Sequence, residues 1–139
     1  MVDKEKIVSK INVLKQSLDR LEHLRSLSQE AFLSSFLNFD AAKYNLIIAI
    51  EAMIDIGNHI ISRKNLEIPE TSSDTMKTMV KHGILPADKQ SDFVAMVRFR
   101  NRAVHLYDQV NNEEIYRILQ ENLWDFKVFI RAIVKYLYG

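Results

Sequence analysis

The chain's densest group of chemically capable side chains is one short segment, where three arginines precede a histidine and a tyrosine: Arg98, Arg100, Arg102, His105 and Tyr107. Arginine offers a fixed positive charge and a planar set of donors that fits a phosphate. Neutral imidazole can act as a general base, and surrounding positive charge favours that form. Such groups could cleave a phosphodiester without a metal. The histidine would take the proton of a ribose 2′-hydroxyl, and an arginine would stabilise charge on the pentacoordinate phosphorus.

The same residues also have a purely structural explanation. Cations gather at helix C-termini because they complement the helix dipole, and most arginine-rich helix ends are solvated surface. A tyrosine at such an end commonly leaves its hydroxyl in water. From the residue types alone, this structural explanation is the more frequent one.

The other three histidines are weaker candidates. His23 lies on the polar side of a predicted helix and should be solvated, and His82 lies at a predicted helix C-terminus, where it complements the dipole. Glu51, Asp55 and His59 follow one another at intervals of four and share one helix face. They could bind a metal, but no second helix carries a matching set. A buried polar network that fixes helix register or lines a cleft is favoured.

Helical periodicity covers most of the chain. Apolar residues recur at spacings of three and four, which predicts helices at about 4–24, 40–64, 74–82 and 86–105, a brief helix or turn within 26–39, and one continuous last helix after 112. Asp40 is predicted to cap the second long helix, Pro86 to open the fourth, and Asn111 with Glu114 to cap the last. The sequence predicts an all-α fold, an antiparallel four-helix bundle with an additional short helix.

Composition sets further limits. The 139 residues suit a single domain spanning 1–139, and only three glycines and two prolines argue against a turn-rich all-β fold. The chain has no cysteine, and its 19 basic and 18 acidic side chains give no strongly basic global field. The apolar stretch 46–53, interrupted by Glu51 and followed by Asp55, is expected to be too short and too polar to span a bilayer. We expect a soluble, cytoplasmic protein.

The segment 100–107, RNRAVHLY, resembles the Arg-x4-His-x-Tyr signature of the HEPN superfamily. In particular it is similar to the HepT-like toxins, the HEPN partners of minimal nucleotidyltransferase antitoxins. The stretch 50–61, IEAMIDIGNHII, and the segment 111–116 also resemble this family. The resemblance therefore covers nearly the whole chain.

The resemblance implies an all-α bundle that pairs as a homodimer, with a metal-independent endoribonuclease site in the cleft between the two copies of the motif. It implies no metal and no cofactor, and no membrane. Arg100 is implied to stabilise the phosphate and His105 to act as general base or acid. Tyr107 is implied to accept AMP from the nucleotidyltransferase antitoxin, which silences the toxin. Glu51 and Asp55 match polar family positions and are implied to support the site.

Helix geometry constrains such a site. Arg100 and His105 are five residues apart, so an ideal helix places them about 140° apart around its axis. Asn101 and Arg102, in contrast, share a face with His105. Either the helix distorts or ends near the histidine, or two subunits each contribute. We expect Asn101 to orient His105 and Arg100 to be completed across a dimer interface, and AMP on Tyr107 would occupy the cations meant for RNA.

Two further classes of function stay open. The leading prediction is an endoribonuclease toxin of a toxin–antitoxin pair that acts on RNA. The alternative is a non-catalytic HEPN-like module that binds nucleotides or proteins, and a third is a purely structural helical dimer. A small nucleotidyltransferase in the neighbouring reading frame would favour the toxin.

Overall fold

The structure, a computed structural model, consists of α-helices joined by short connections. It describes residues 1–106 and 108–139 in full and residue 107 by its backbone. The α-helices are α1 (Lys4–Arg25), α2 (Gln29–Leu33), α3 (Phe36–Arg63), α4 (Ser72–Lys81), α5 (Gln90–His105), α6 (Asn112–Glu121) and α7 (Leu123–Tyr138). Short 3-10 helices, Ala87–Lys89 and Tyr107–Gln109, flank α5. No strand lies in the described ranges, and the predicted all-α fold class is confirmed.

The pair of α1 and α3 is the framework of the protein. α3 packs most extensively against α1 and also contacts α4, α5 and α6. The stripe that α1 presents is buried as its spacing predicts: Ile7, Ile11, Leu14, Leu18 and Leu21. Each such side chain contributes about 1.5–3 kcal/mol when fully buried. The contact between α1 and α3 is therefore a stable base, and each of the other five α-helices packs against one of these two.

α3 is longer than the sequence predicted. Its 28 residues make it, by length and composition, the one described helix that could cross a membrane. However, 61% of its most apolar window is buried inside the protein. The apolar stretch 46–53 is thus part of a longer helix, and burial in the core accounts for the apolar character of α3.

The start of α3 also differs from the prediction. Ser35, in extended backbone with φ −129° and ψ 122°, is the N-cap, whereas the predicted cap Asp40 lies inside the helix. The serines that suggested an irregular segment occupy only the junction, because Ser34 ends α2 and Ser35 begins α3. The predicted brief helix is α2, whose N-cap Ser28 accepts a hydrogen bond from the amide of Ala31.

Glycine determines two features near α4. A Cβ at Gly57 would lie 2.6 Å from the side chains of both Met79 and Thr75, so only glycine lets α4 approach α3 this closely. Gly83, with φ +72°, follows α4 in the left-handed conformation, as predicted.

Pro86 does not open α5 directly, because the 3-10 helix Ala87–Lys89 lies between them.

The predicted last helix is divided at Asn122. This residue, with φ −120° and ψ −2°, ends α6 and begins α7. Asparagine favours such non-helical positions because its side chain competes for backbone hydrogen bonds. Asn111 caps α6 as predicted, accepting a hydrogen bond from the amide of Glu114 at 2.8 Å. The described ranges therefore hold four helices of 16 or more residues and three shorter ones, where one short helix was predicted.

The start of α7 carries the chain's single tryptophan. Trp124 is 51% exposed, and two cations of the same helix lie over its ring. The guanidinium of Arg131 is 4.8 Å from the ring centroid, and the ammonium of Lys127 is 5.7 Å from it. These contacts stabilise an exposed aromatic side chain at the surface.

Candidate functional site

The motif lies on the last two turns of α5. The inner face of this helix buries Phe93, Val97 and Ala103, while Arg98 and His105 are exposed. The helix ends at His105, because Leu106 leaves the helical conformation with φ −133° and ψ 50°. His105 is therefore an accessible imidazole at a helix terminus.

Arg100 is held on two sides. Its Nη2 donates to the Glu51 carboxylate on α3 at 3.3 Å, and its Nη1 donates to the Asn101 side-chain oxygen at 3.1 Å. The side chain is 23% exposed, and its Nε is buried without a hydrogen-bond partner among the described residues. A guanidinium fixed in this way is a pre-positioned cation with donor capacity left for an anionic oxygen.

Asn101 contacts Arg100 rather than His105. Asn101 and His105 share one side of α5, but the Asn101 oxygen accepts from Arg100. No hydrogen bond joins Asn101 to His105 in the part of the chain that the structure describes. The amide lies directly beside the guanidinium and so positions the arginine instead.

Arg102 forms the best-defined ion pair near the motif. Its two terminal nitrogens donate to the two oxygens of Glu114 at 3.0 and 2.8 Å. The hydrogen bonds from Glu114 raise the pKa of Arg102 above its usual value. The pair joins the end of α5 to the first turn of α6, and it takes up a charge that the sequence suggested was available to RNA.

Glu51, Asp55 and His59 share one face of α3 but have different partners. Glu51 contacts Arg100, Asp55 accepts from Lys10 on α1 at 3.1 Å, and His59 accepts from the Asp3 amide at 3.1 Å. They are partly or well exposed, so the expected buried polar network is not formed. Within the described residues no group of three His, Asp or Glu side chains could hold a metal ion.

The remaining histidines follow the structural explanation. His23 is exposed on α1. His82 is the C-cap of α4, and its ring lies 3.0 Å from the Glu67 carboxylate. This hydrogen bond is the main cause that lowers the pKa of Glu67.

The predicted role of Tyr107 concerns a side chain outside the described residues. Its backbone follows His105 by two positions, in the connection from α5 to α6.

A comparison with known families identifies the family of the chain. The family described as Ribonuclease HepT-like matches residues 14–133. The chain therefore belongs to the HepT-like ribonuclease family, and the predicted resemblance to HepT-like HEPN proteins is confirmed.

Individual relatives agree over nearly their full length. The chain is similar to the mRNA nuclease HepT of Shewanella oneidensis, with 31% identity over 127 residues that cover 91% of this chain and 95% of that protein. It is also similar to the tRNA nuclease HepT of Aphanizomenon flos-aquae, with 25% identity over 131 residues, 94% of this chain and 89% of that protein. The names of these two relatives specify different RNAs.

Solved structures show the same fold. The tri-AMPylated HEPN toxin of Shewanella oneidensis, in complex with MNT antitoxin, matches with a TM-score of 0.85 and 30% identity, covering 93% of this chain and 96% of that one. YutE of Bacillus subtilis, a cytosolic protein of unknown function, matches with a TM-score of 0.84 and 20% identity, covering 98% and 91%. The second likeness concerns the fold alone.

Sequence reasoning also missed two contacts between helices at the site. Glu114 was recognised as the capping partner of Asn111 but not as the partner of Arg102. The contact of Glu51 with Arg100 joins residues 49 positions apart. Neither contact has a local sequence signal, because each depends on how two helices are placed relative to one another.

Proposed function

We propose that the protein is an endoribonuclease toxin whose site is formed around Arg100 and His105. One observation carries this proposal: Arg100 is fixed by Glu51 and Asn101, while His105 is left accessible at the end of the same helix. Family membership and the two relatives named as nucleases support the reaction class.

The chemistry needs only the chain's own residues. His105 removes the proton of a ribose 2′-hydroxyl, and the 2′-oxygen attacks the neighbouring phosphorus. The bond from phosphorus to the 5′-oxygen breaks, and that oxygen takes up a proton from an imidazolium or from water. Arg100 stabilises the negative charge on the phosphoryl oxygens. The products are a 2′,3′-cyclic phosphate and a 5′-hydroxyl, and no metal takes part.

A homodimer would supply a complete site. Arg100 and His105 lie about 140° apart around α5, too far to face one phosphate easily from one chain. The outer face of α3 carries Leu37, Tyr44 and Ile48 in line with Glu51. Leu37 and Tyr44 are 66% and 60% exposed. An exposed row of apolar residues that ends beside the site is expected where a second copy of the chain covers the surface.

Neutralisation would occur at Tyr107. We propose that a minimal nucleotidyltransferase antitoxin transfers AMP to its hydroxyl, displacing pyrophosphate from ATP. The Shewanella oneidensis HEPN toxin, which is tri-AMPylated and in complex with MNT antitoxin, supports this assignment. Added phosphate groups two residues from His105 would compete with RNA for the cations of α5. We further propose that residues 1–139 form one domain that acts in the cytoplasm.

Mapping of RNA ends tests the cleavage. Purified protein incubated with cellular RNA should leave 2′,3′-cyclic phosphate ends, with and without a chelator. His105→Ala and Arg100→Ala should each lower the rate by at least about 100-fold. His23→Ala, at an exposed histidine outside the motif, should cut like wild type. If folded His105→Ala cuts RNA at the wild-type rate, this mechanism is wrong. If no RNA is cut at all, the non-catalytic binding module is favoured.

Intact mass tests the modification. Co-expression with the nucleotidyltransferase from the neighbouring reading frame should add whole AMP units to the wild-type chain and none to Tyr107→Phe. Addition to Tyr116→Phe, a tyrosine on α6, should equal that of wild type. An unmodified wild-type chain, or a modified Tyr107→Phe chain, would contradict the assignment.

A further inference from the structure

A pocket of about 150 Å³ opens beside the motif helix, between α3, α5, α6 and the start of α7. Its walls are largely apolar and include Ile50, Met96, Phe99, Ile118 and Phe126. Cavities of about this volume accept a single six-membered ring such as benzene. The pocket is thus the size of one flat ring.

Four polar side chains also line the pocket: Asp92, Arg102, Glu114 and Asn122. Arg102 and Glu114 already bind each other. The Asp92 side chain is 42% exposed, and its ion pair with the Lys89 ammonium is long, at 3.7 Å. Asn122 supplies both an amide donor and an acceptor. A ring that enters here meets apolar walls and acceptors at its edge, the combination used to hold an unstacked nucleobase.

The pocket shares a residue with the motif. Arg102 lines it, and His105 follows Arg102 by one helical turn, about 4.5 Å along the axis and about 60° around it. Ala95, an exposed lining residue on α5, marks the side on which the pocket opens. Ala95 precedes His105 by ten residues, about 15 Å along the helix axis, so a base that enters at Ala95 would lie a few nucleotides from the bond that the exposed imidazole cleaves.

We propose that this pocket binds one pyrimidine base of the RNA, a few nucleotides from the bond that His105 cleaves, and that it prefers cytosine. The proposal rests on the proposed ribonuclease function. A pyrimidine is a single six-membered ring, whereas a purine adds a second ring that the volume does not accommodate. Cytosine is favoured over uracil because its exocyclic amino group donates to a carboxylate.

One substitution blocks the pocket without removing a core contact. Ala95→Leu adds a larger side chain at an exposed position that lines the opening, and leucine is a good helix former. Ser91→Leu is the matched control, since it adds a leucine at an exposed position of α5 outside the pocket. Circular dichroism should show that both variants keep the wild-type helix content.

Methyl NMR tests binding without any cleavage. In a titration of 5′-CMP, 5′-UMP, 5′-AMP and 5′-GMP into the wild-type protein, binding should shift the methyl signals of Met96 and Ile118. CMP should bind most tightly, about tenfold more tightly than either purine nucleotide. Ala95→Leu should weaken CMP binding at least about tenfold, and Ser91→Leu should bind like wild type. Equal binding of all four nucleotides, shifts outside the pocket, or no shifts would overturn the proposal. Preference for AMP would assign the pocket to adenine instead.

Cleavage of a randomised RNA library separates this inference from the proposed function. Wild type and Ser91→Leu should show a pyrimidine at one fixed position a few nucleotides from the cut, and Ala95→Leu should lose that preference. Cleavage with no base preference would overturn the pocket and leave the ribonuclease standing. CMP binding without any cleavage would support the pocket and overturn the ribonuclease.

Discussion

Glu51 and Asp55 lie one turn apart on α3, yet they have different partners. Glu51 contacts Arg100, while Asp55 contacts Lys10 in a pair whose side chains are 40% and 51% exposed. We predict that Glu51→Gln lowers RNA cleavage about tenfold because Arg100 loses its fixed position. Asp55→Asn, the matched control, should cleave within twofold of wild type. Initial rates on one RNA substrate measure both, and equal rates for the two variants would contradict this division of roles.

The pair of Arg102 and Glu114 has a structural role that can be measured. The Glu114 side chain is 19% exposed and accepts from both terminal nitrogens of Arg102. Glu114→Gln should lower the free energy of unfolding by about 1–2 kcal/mol, between the values for exposed and buried pairs. Urea denaturation followed by circular dichroism measures it.

Glu113→Gln is the control for this loss. Glu113 lies in the same first turn of α6 but is exposed. Both variants therefore remove one negative charge near the positive end of the helix dipole, but only Glu114→Gln removes the ion pair. It should change the free energy of unfolding by less than about 0.5 kcal/mol. Similar losses in both variants would mean that the ion pair contributes nothing.

Residue types identified the motif, but they did not assign its contacts. The sequence named Arg100, Asn101, Arg102 and His105 together with Glu51 and Asp55 as candidates. It could not predict that Asn101 contacts Arg100 or that Glu114 takes the charge of Arg102. Which side chains contact one another depends on their rotamers and on how the helices pack together. The spacing of residues along one helix does not determine either.

At the scale of elements, hydrophobic periodicity was sufficient for the long helices and insufficient for their ends. α1 and the end of α5 lie where the apolar spacing places them. The start of α3 and the break at Asn122 differ from the prediction. An apolar stripe is compatible with either a continuous helix or two helices that meet at an angle, so packing decides between them.

His59 makes the attachment of α1 to α3 sensitive to pH. Its ring accepts from the Asp3 amide, the N-cap of α1, and burial lowers its pKa from the ordinary value of 6.5, with Lys6 and Arg63 adding to this. Because the unfolded chain binds this proton more tightly, the stabilisation is complete above about pH 6.5 and is lost as the pH falls through the lower folded pKa.

Thermal unfolding at pH 7.5 and pH 5.5 tests this dependence. The melting temperature of wild type should fall on acidification by about 4 °C more than that of His59→Gln, since one hydrogen bond worth about 1 kcal/mol is lost. His23→Gln, at an exposed histidine of α1, should show the wild-type dependence. The idea fails if His59→Gln and wild type respond to pH alike.

At the scale of the whole molecule, the proposed dimer makes cleavage activity depend on the association of two chains. Tyr44 is 60% exposed on the face of α3 that also carries Glu51. Tyr44→Glu would place a charge in an apolar interface, so sedimentation equilibrium should show a monomer where wild type is a dimer. Cleavage should fall by at least about 100-fold if each site needs two chains.

Val13→Glu is the control for this experiment. Val13 is 40% exposed on α1 and lies outside the α3 face, so its variant should remain dimeric and active. A monomeric Tyr44→Glu chain with full cleavage activity would place the whole site in one subunit. The sequence suggested a partner from the resemblance to HEPN proteins and from the positions of Arg100 and His105 around the helix, but it could not locate the interface.

The position of Trp124 has a consequence for spectroscopy. Because the single indole is half exposed beside Arg131 and Lys127, its fluorescence in the folded chain should already resemble that of a hydrated indole. Global unfolding would then change the emission little. The same indole lies two residues after Asn122, which lines the pocket, so its emission is suited to following events at the junction of α6 and α7. The wild-type chain therefore contains a local optical probe that needs no attached label.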